Sequence, residues 1–356
     1  MKHYWQDAMT KPRKALISLD DTPYYHCVSR CVRRAFLCGL DRLTSRSFEH
    51  RRGWIADRMK GLASVFAIDI AAFCVMENHH HLVVRVDRKR ALGWSQAEVF
   101  ERWRHLFTGP LVIQRFLAGD VLLQVELALV DQLCAIYRER LTSISWFMRC
   151  LNEPIARWAN AEDKCTGRFW EGRFKSQALL DDVALLSCMT YVDLNPIRAG
   201  MASTPETSDY TSIQERLGIA VRRPAEAAAE QSQEHGPKRK PLPLAGLMPF
   251  SGWESNTTPE NALPYALPDY IELVDWAGRA VREGKRGFIP GNLPPIFQRI
   301  GVDPAIWLDT TLHFRMKFFR VVGPVASLKA LCERFGGKWL QGKRACALLY
   351  PDPSPA

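Results

Sequence analysis

Phe73-Cys74-Val75-Met76-Glu77-Asn78-His79-His80-His81-Leu82-Val83-Val84-Arg85-Val86 is the stretch whose reading decides the fold. An apolar run stops at a Glu77-Asn78 turn and resumes as a strand that opens on His-x-His, the pattern of a β-hairpin. Side chains alternate between the faces of a strand. His79 and His81 therefore project from one face, at a spacing that lets two imidazoles hold one divalent metal, and His80 projects from the other. A His-x-His is equally compatible with two ordinary packed histidines, so the rest of the chain has to discriminate.

Working outward, residues 24–37 read as a first strand that follows the turn signal Asp20-Asp21-Thr22-Pro23. Residues 43–62 read as a helix, with Trp54, Ile55, Met59 and Leu62 at three- and four-residue spacings. Residues 66–76 and 79–86 form the two arms of the hairpin. Beyond them a helical insertion is expected over about 90–160, interrupted at Gly109-Pro110, Gly119-Asp120 and Pro154. A basic aromatic segment, Gly167-Arg168-Phe169-Trp170-Glu171-Gly172-Arg173-Phe174-Lys175-Ser176, leads into a short strand ending near Leu180. Asp181 or Asp182 is placed to N-cap a helix over 183–194, and Pro196 limits it by disfavouring helical backbone at Asn195.

The order β-α-β-β-(α)-β-α describes an α+β fold, an antiparallel sheet with helices packed on it. Residues 1–217 are expected to form this unit. Residues 218–265, rich in Ala, Glu, Gln and Pro with a basic Pro237-Lys238-Arg239-Lys240-Pro241 cluster, read as a linker or irregular segment. Residues 266–356 regain helical periodicity and read as a small, mainly helical C-terminal domain. Within it, 327–339 reads either as part of a helix-turn-helix that grips duplex DNA or as a packing or partner-binding surface.

Composition narrows the functional classes. The chain has 356 residues, 47% of them apolar, and no run approaches the roughly 18–20 apolar residues of a membrane span. Its N-terminal residues lack the apolar core of a signal peptide, so a cytoplasmic, nucleoid-associated location is expected. The ten cysteines are scattered without a Cys-x-x-Cys pair, which supports neither a disulfide framework nor a zinc site. Cys27 and Cys31, four residues apart on one strand, read as buried thiols. A net charge of +10 favours a polyanionic partner.

The second motif is Thr190-Tyr191-Val192-Asp193-Leu194-Asn195-Pro196-Ile197-Arg198-Ala199-Gly200. Tyr191 and Asn195, four apart, share one helix face. A tyrosine hydroxyl can attack a phosphodiester and become a phosphotyrosine. Its ordinary pKa of about 10 makes it a weak nucleophile at neutral pH, so such chemistry needs help at the phosphate. A divalent metal on His79 and His81 supplies that help, and Asn195 is an oxygen donor able to complete the coordination. The plainer alternative for Tyr191 and Asn195 is packing and helix capping.

Asn-His-His-His-Leu-Val-Val-Arg, then Gly-Arg-Phe-Lys-Ser, then Tyr-Val-Asp-Leu-Asn-Pro-Ile-Arg-Ala-Gly-Met resembles the HUH single-tyrosine transposases, and within them the REP-associated tyrosine transposases, over residues 20–217. The resemblance implies a ferredoxin-like or RRM-like core and a homodimer. It implies single-stranded or hairpin DNA as substrate, cleaved and rejoined through a 5′-phosphotyrosine. By motif position it implies His79, His81 and Asn195 as ligands of Mg²⁺ or Mn²⁺ and Tyr191 as the nucleophile. His80 departs from the pattern, which usually has a bulky apolar residue there, but it faces away from the ligands. His26 on the first strand could approach the metal from a neighbouring strand, but reads rather as a core or DNA-contacting histidine. Candidate DNA contacts are Arg30, Arg33 and Arg34 on that strand, and Arg168, Trp170, Arg173 and Lys175 in the basic aromatic segment, where aromatic faces stack on unpaired bases and cations meet phosphates. Two rivals stay open: a catalytically silent, domesticated relative that binds hairpin DNA or regulates transcription, and a replication-initiator or relaxase-type nickase. A third, a metal phosphodiesterase with water as nucleophile, would form no covalent intermediate.

Overall fold

In a computed structural model, the described residues are 17–32, 37–40, 45–218, 242–251, 261–282, 296–334 and 341–350. The hairpin forms as β2 (Ile68–Val75) and β3 (His79–Val86), paired antiparallel, with the Met76 N–H donating to the His79 carbonyl at 2.8 Å to close the turn. The register shifts between Ile70 and Ala72, so β2 carries a bulge at Ala71. β1 (Tyr24–Arg30) pairs antiparallel with the other side of β3, and β4 (Lys175–Leu179) pairs antiparallel with β1. The four strands stand in the order β2-β3-β1-β4, the order of a ferredoxin-like sheet. A two-residue strand, β5 (Val321–Val322), extends the sheet beside β4 and is parallel to it.

β1 is shorter than the expected 24–37. Cys31 makes only an isolated bridge to Trp170, and its N–H goes to the Asn78 carbonyl at 3.0 Å. That bond continues the β1–β3 register by one residue, and residues 33–36 of the expected strand lie outside the described residues.

Two helices cover one face of the sheet. α1 (His50–Val65) starts later than the expected residue 43: residues 41–44 lie outside the described residues, and Ser47 and Phe48 are held out of the helix by the Leu40–Ser47 bridge and the Phe48 N–H donating to the Gly39 carbonyl. α2 (Arg88–Gly93), α3 (Gln96–Arg104), α4 (Leu111–Ala118) and α5 (Gln124–Leu141) form the insertion. Ser95 and Glu98 close a capping box at the start of α3, and Gly119 ends α4 with φ +79°.

α6 (Ile144–Glu162) then lies against α1 and runs straight through Pro154, where a break was expected. Proline has no N–H and so leaves the carbonyl four residues back without its helical donor. That carbonyl belongs to Cys150, and Arg58 Nε of α1 donates to it at 3.1 Å.

α7 (Asp182–Asp193) packs on the opposite face, with the Asp181 carboxylate accepting from the Ala184 N–H at 2.9 Å as its N-cap. The helix stops at Asp193, and Asn195-Pro196 open a separate turn, α8 (Asn195–Arg198). α9 (Ser212–Arg216) follows. The C-terminal helices Leu267–Arg282, Ile296–Ile300, Pro304–Leu312, Phe314–Lys317, Val325–Arg334 and Lys343–Leu349 give that part its helical character.

The C-terminal helices join the core through a buried carboxylate. Asp193 accepts from the Tyr270 hydroxyl, the Ser212 hydroxyl and the Ile213 N–H, so α7, α9 and the Leu267–Arg282 helix meet at one group. Burial pushes that carboxyl up to about 6, against the pull of the Ser212 and Tyr270 hydrogen bonds. Within 218–265, Met248 N–H donates to the Ile70 carbonyl at 2.8 Å and Phe250 bridges Leu263; the Lys238-Arg239-Lys240 cluster lies outside the described residues. Of 327–339, residues 335–339 also lie outside them, and Arg334 forms an ion pair with Asp21. Among the described residues no helix is long and apolar enough to cross a membrane.

Candidate active site

Strand register assembles the site. Val28 stands opposite His81 and Arg30 opposite His79, while His26 stands opposite Gln177 and Val28 opposite Lys175. Residues directly opposite one another share a face, so the face covered by α7 carries His26, Arg30, His79, His81, Lys175 and Gln177. α7 lays Tyr191 onto this face. The His81 and Tyr191 rings lie edge to face with centroids 5.5 Å apart, and His79 and His81 are 4.8 Å apart. The two imidazoles and the phenol therefore converge from positions more than a hundred residues apart.

His26 belongs to the same cluster. Its ring lies nearly parallel to that of His81 (centroids 5.1 Å apart, 11°), its Nε2 lies 2.8 Å from His81 Nδ1, and its Nδ1 lies 3.1 Å from Gln177 Oε1. His79 Nδ1 lies 2.6 Å from Asn78 Oδ1. All three rings are held neutral. Burial lowers His26 to about 4, against the Gln177 hydrogen bond, and lowers His79 to about 3 with help from the Arg315 charge. Burial, then the neighbouring His79, puts His81 well below its ordinary value. A neutral imidazole is the form that can give a lone pair to a metal.

Tyr191 is 3% exposed. Burial raises its pKa, and the Arg198 guanidinium opposes that rise. Arg198 lies over the phenol ring at 4.7 Å, and its Nη2 reaches Asn195 Oδ1 at 3.0 Å and Tyr191 Oη at 3.4 Å. One arginine thereby ties together Tyr191 and Asn195, four residues apart in the chain. Its Nη1 donates to the Leu312 carbonyl at 2.5 Å. Phe314, two residues on, stacks on the Tyr191 ring at 5.5 Å and 23° and meets His26 edge-on at 6.2 Å. Exposed Arg315 stands beside it.

The donor set fits a divalent cation at two positions. His81 Nε2 is buried with no partner, and His79 has one ring nitrogen left after its contact with Asn78. The Asn195 oxygen is turned to Arg198, and its Nδ2 is buried without a partner. Among the described residues no three His, Cys, Asp or Glu side chains form a group able to hold a metal. A third protein donor would accordingly be an amide or a phenol.

The remaining candidates divide. Arg30, Arg168, Arg173 and Lys175 are exposed, with Arg30 Nε 3.5 Å from a Glu171 carboxylate oxygen. Trp170 is turned inward: its indole N–H donates to the Asn152 carbonyl at 2.8 Å, and its ring meets His80 edge-on at 5.6 Å. Arg33 and Arg34 lie outside the described residues. Gln177, Arg198, Phe314 and Arg315 are site neighbours that sequence reasoning did not assign, and His26, read from the sequence as a core or DNA-contacting histidine, stands beside His81. Arg198 had a signal, three residues beyond Asn195 on the same turn. His26 and Gln177 needed the strand register, and Phe314 needed the tertiary fold.

No family model matches the chain, and no curated protein matches it. Among solved structures, one of a REP-associated tyrosine transposase bound to a REP hairpin is similar at 10% identity and a TM-score of 0.33, covering 56% of this chain and 82% of that one.

Proposed function

We propose that the chain is a metal-dependent DNA strand transferase or endonuclease of the single-tyrosine HUH type, acting on single-stranded DNA near hairpins. The observation that supports this most is the convergence of His79, His81 and Tyr191 on one face of the sheet. Tyr191 Oη attacks the scissile phosphorus, the bond to the 3′ oxygen breaks, and a 5′-phosphotyrosine and a 3′-hydroxyl result. A second strand's 3′-hydroxyl reverses the step and rejoins the DNA. A Mg²⁺ or Mn²⁺ ion held by His79 and His81, with Asn195 as a further oxygen donor, would polarise the phosphate when bound. Arg198 holds the Tyr191 ring and the Asn195 amide in place and, as a cation beside the phenol, favours loss of its proton. Arg30 and Lys175, exposed on the strand face that carries the site, would meet the DNA backbone. Phe314 stacks on the phenol ring and Tyr191 is 3% exposed, so phosphate reaches Oη when this packing opens.

The covering ring favours a second reading, a hairpin-binding protein that does not cleave. Incubation with 5′-labelled and 3′-labelled hairpin oligonucleotides and Mn²⁺ separates the two. A protein–DNA species that survives denaturation is expected from the native chain and absent from Tyr191→Phe, with hairpin affinity unchanged. An adduct that persists in Tyr191→Phe removes the nucleophile assignment; none from the native chain supports the silent reading.

A further inference from the structure

We infer that His26 and Gln177 are positioning residues that fix the tautomer of His81, so that His81 presents a bare Nε2 to the divalent cation. This rests on the metal reading above and adds to it two residues outside the ligand set. The hydrogen bonds run Gln177 Oε1···His26 Nδ1 at 3.1 Å and His26 Nε2···His81 Nδ1 at 2.8 Å. Each neutral imidazole has one N–H and one lone pair, so the chain has two proton arrangements.

In the first, His26 Nδ1–H donates to the Gln177 oxygen and His81 Nδ1–H donates to His26 Nε2. Every contact then has one donor and one acceptor, and His81 Nε2 is left as a lone pair. In the second, the Gln177 amide must turn over to donate and His26 must donate to His81. His81 would then carry an N–H at Nε2, an atom that is buried and has no partner. A buried donor without an acceptor is unfavourable, whereas a buried lone pair is completed by a cation. The orphaned atom and the order of the chain thus select the same arrangement. Metal-bound histidines generally donate their other ring N–H to a polar partner that orients them. Here that partner is another imidazole, itself anchored on β4. His80, one residue away, contacts an amide oxygen from the other side and has no such link to the cluster.

The test reads the protons and the metal separately. In long-range ¹H–¹⁵N spectra of the metal-free native protein, His26 and His81 are expected as Nδ1–H tautomers. Mn²⁺ affinity, read by electron paramagnetic resonance, is expected to fall about 10- to 100-fold in His26→Phe, which lacks the acceptor. His26→Gln places an amide near the Nε2 position and is expected to recover most of that loss, and Gln177→Leu to give a smaller one. Thermal melts confirm folding of each variant. An Nε2–H tautomer at His81 in the native protein overturns the inference whether or not the variants fold. Native Mn²⁺ affinity in His26→Phe, alongside its loss in His81→Ala, overturns the inference and leaves the metal reading standing. No Mn²⁺ binding by the native protein overturns both.

Discussion

His80 and His81 are adjacent residues of one strand, both fully buried and both kept neutral by burial, yet they face different surroundings. His80 points to the side covered by α1 and α6. There its Nε2 lies 3.0 Å from Asn152 Oδ1, Asn152 Nδ2 donates to Ser29 Oγ at 2.8 Å, and the Trp170 edge closes the group. His81 points to α7, where the neighbours are two more imidazoles and a phenol. Each ring has one nitrogen without a partner. Burial and perturbed ionisation alone therefore do not distinguish a site from a packed polar cluster. What distinguishes them is whether a second metal donor and a nucleophile stand beside the free nitrogen. His79 and Tyr191 stand beside His81, and the amide, hydroxyl and indole beside His80 offer no such pair.

The contrast breaks most visibly in paired substitutions. His81→Ala is expected to lower Mn²⁺-dependent adduct formation at least about 100-fold, the scale of losing a metal ligand rather than an outer partner. His80→Ala is expected to leave the yield per folded molecule within a few-fold and to lower stability by about 1–3 kcal/mol, since it strands the Asn152 side chain. Adduct assays normalised to the folded fraction in urea melts check both. Equal activity losses in the two variants would erase the distinction between the faces.

Stability against pH treats the two faces alike and so sharpens what is not different. In the metal-free protein His26 and His80 are depressed to about 4 and His79 to about 3 from an ordinary 6.5, with His81 in the same direction. A depressed histidine binds protons more readily in the unfolded chain, so its stabilisation is complete above 6.5 and is lost as the pH falls toward the folded value. The loss is about 1.4 kcal/mol per pH unit for each such histidine that titrates independently. Asp193, raised to about 6 from 3.8, acts in the opposite sense between those values and offsets one histidine's share. Denaturant midpoints are expected to fall steadily from pH 7 to 5, and a flat profile would contradict the burial of these rings.

Phe314→Ala acts on the site face alone. It is expected to destabilise by about 3–5 kcal/mol, the range for removing a buried phenylalanine. It is also expected to expose Tyr191, whose nitration by tetranitromethane should accelerate in the fraction that remains folded. Unchanged nitration would mean that Phe314 does not control access to the phenol.

Much of this was legible in the chain. The hairpin followed from two apolar runs around Glu77-Asn78, and the end of α7 from Pro196. Strand alternation alone separated His80 from His79 and His81. Pro154 misled because the donor that restores its turn, Arg58, comes from another helix. The start of α1 shifted because a bridge between Leu40 and Ser47 holds Ser47 out of the helix, a pairing the helical spacing of the apolar residues does not announce. Gln177 was hidden, and His26 was read only as a core or DNA-contacting residue, because alternation gives a face only within one strand; which faces coincide depends on register, fixed by pairing across the sheet. The contact of Leu312 and Phe314 with Arg198 and Tyr191 spans more than a hundred residues, and no local pattern encodes it.

Everything chemical in this account turns on one oxygen, and trypsin isolates it. Cleavage after Lys175 and Arg198 releases residues 176–198, a peptide with a single tyrosine, Tyr191. After incubation with hairpin oligonucleotides and Mn²⁺, followed by nuclease and tryptic digestion, mass spectrometry should find this peptide carrying a nucleotide phosphate on Tyr191. Nicked DNA together with an unmodified 176–198 peptide would contradict the assignment and point to water as the nucleophile.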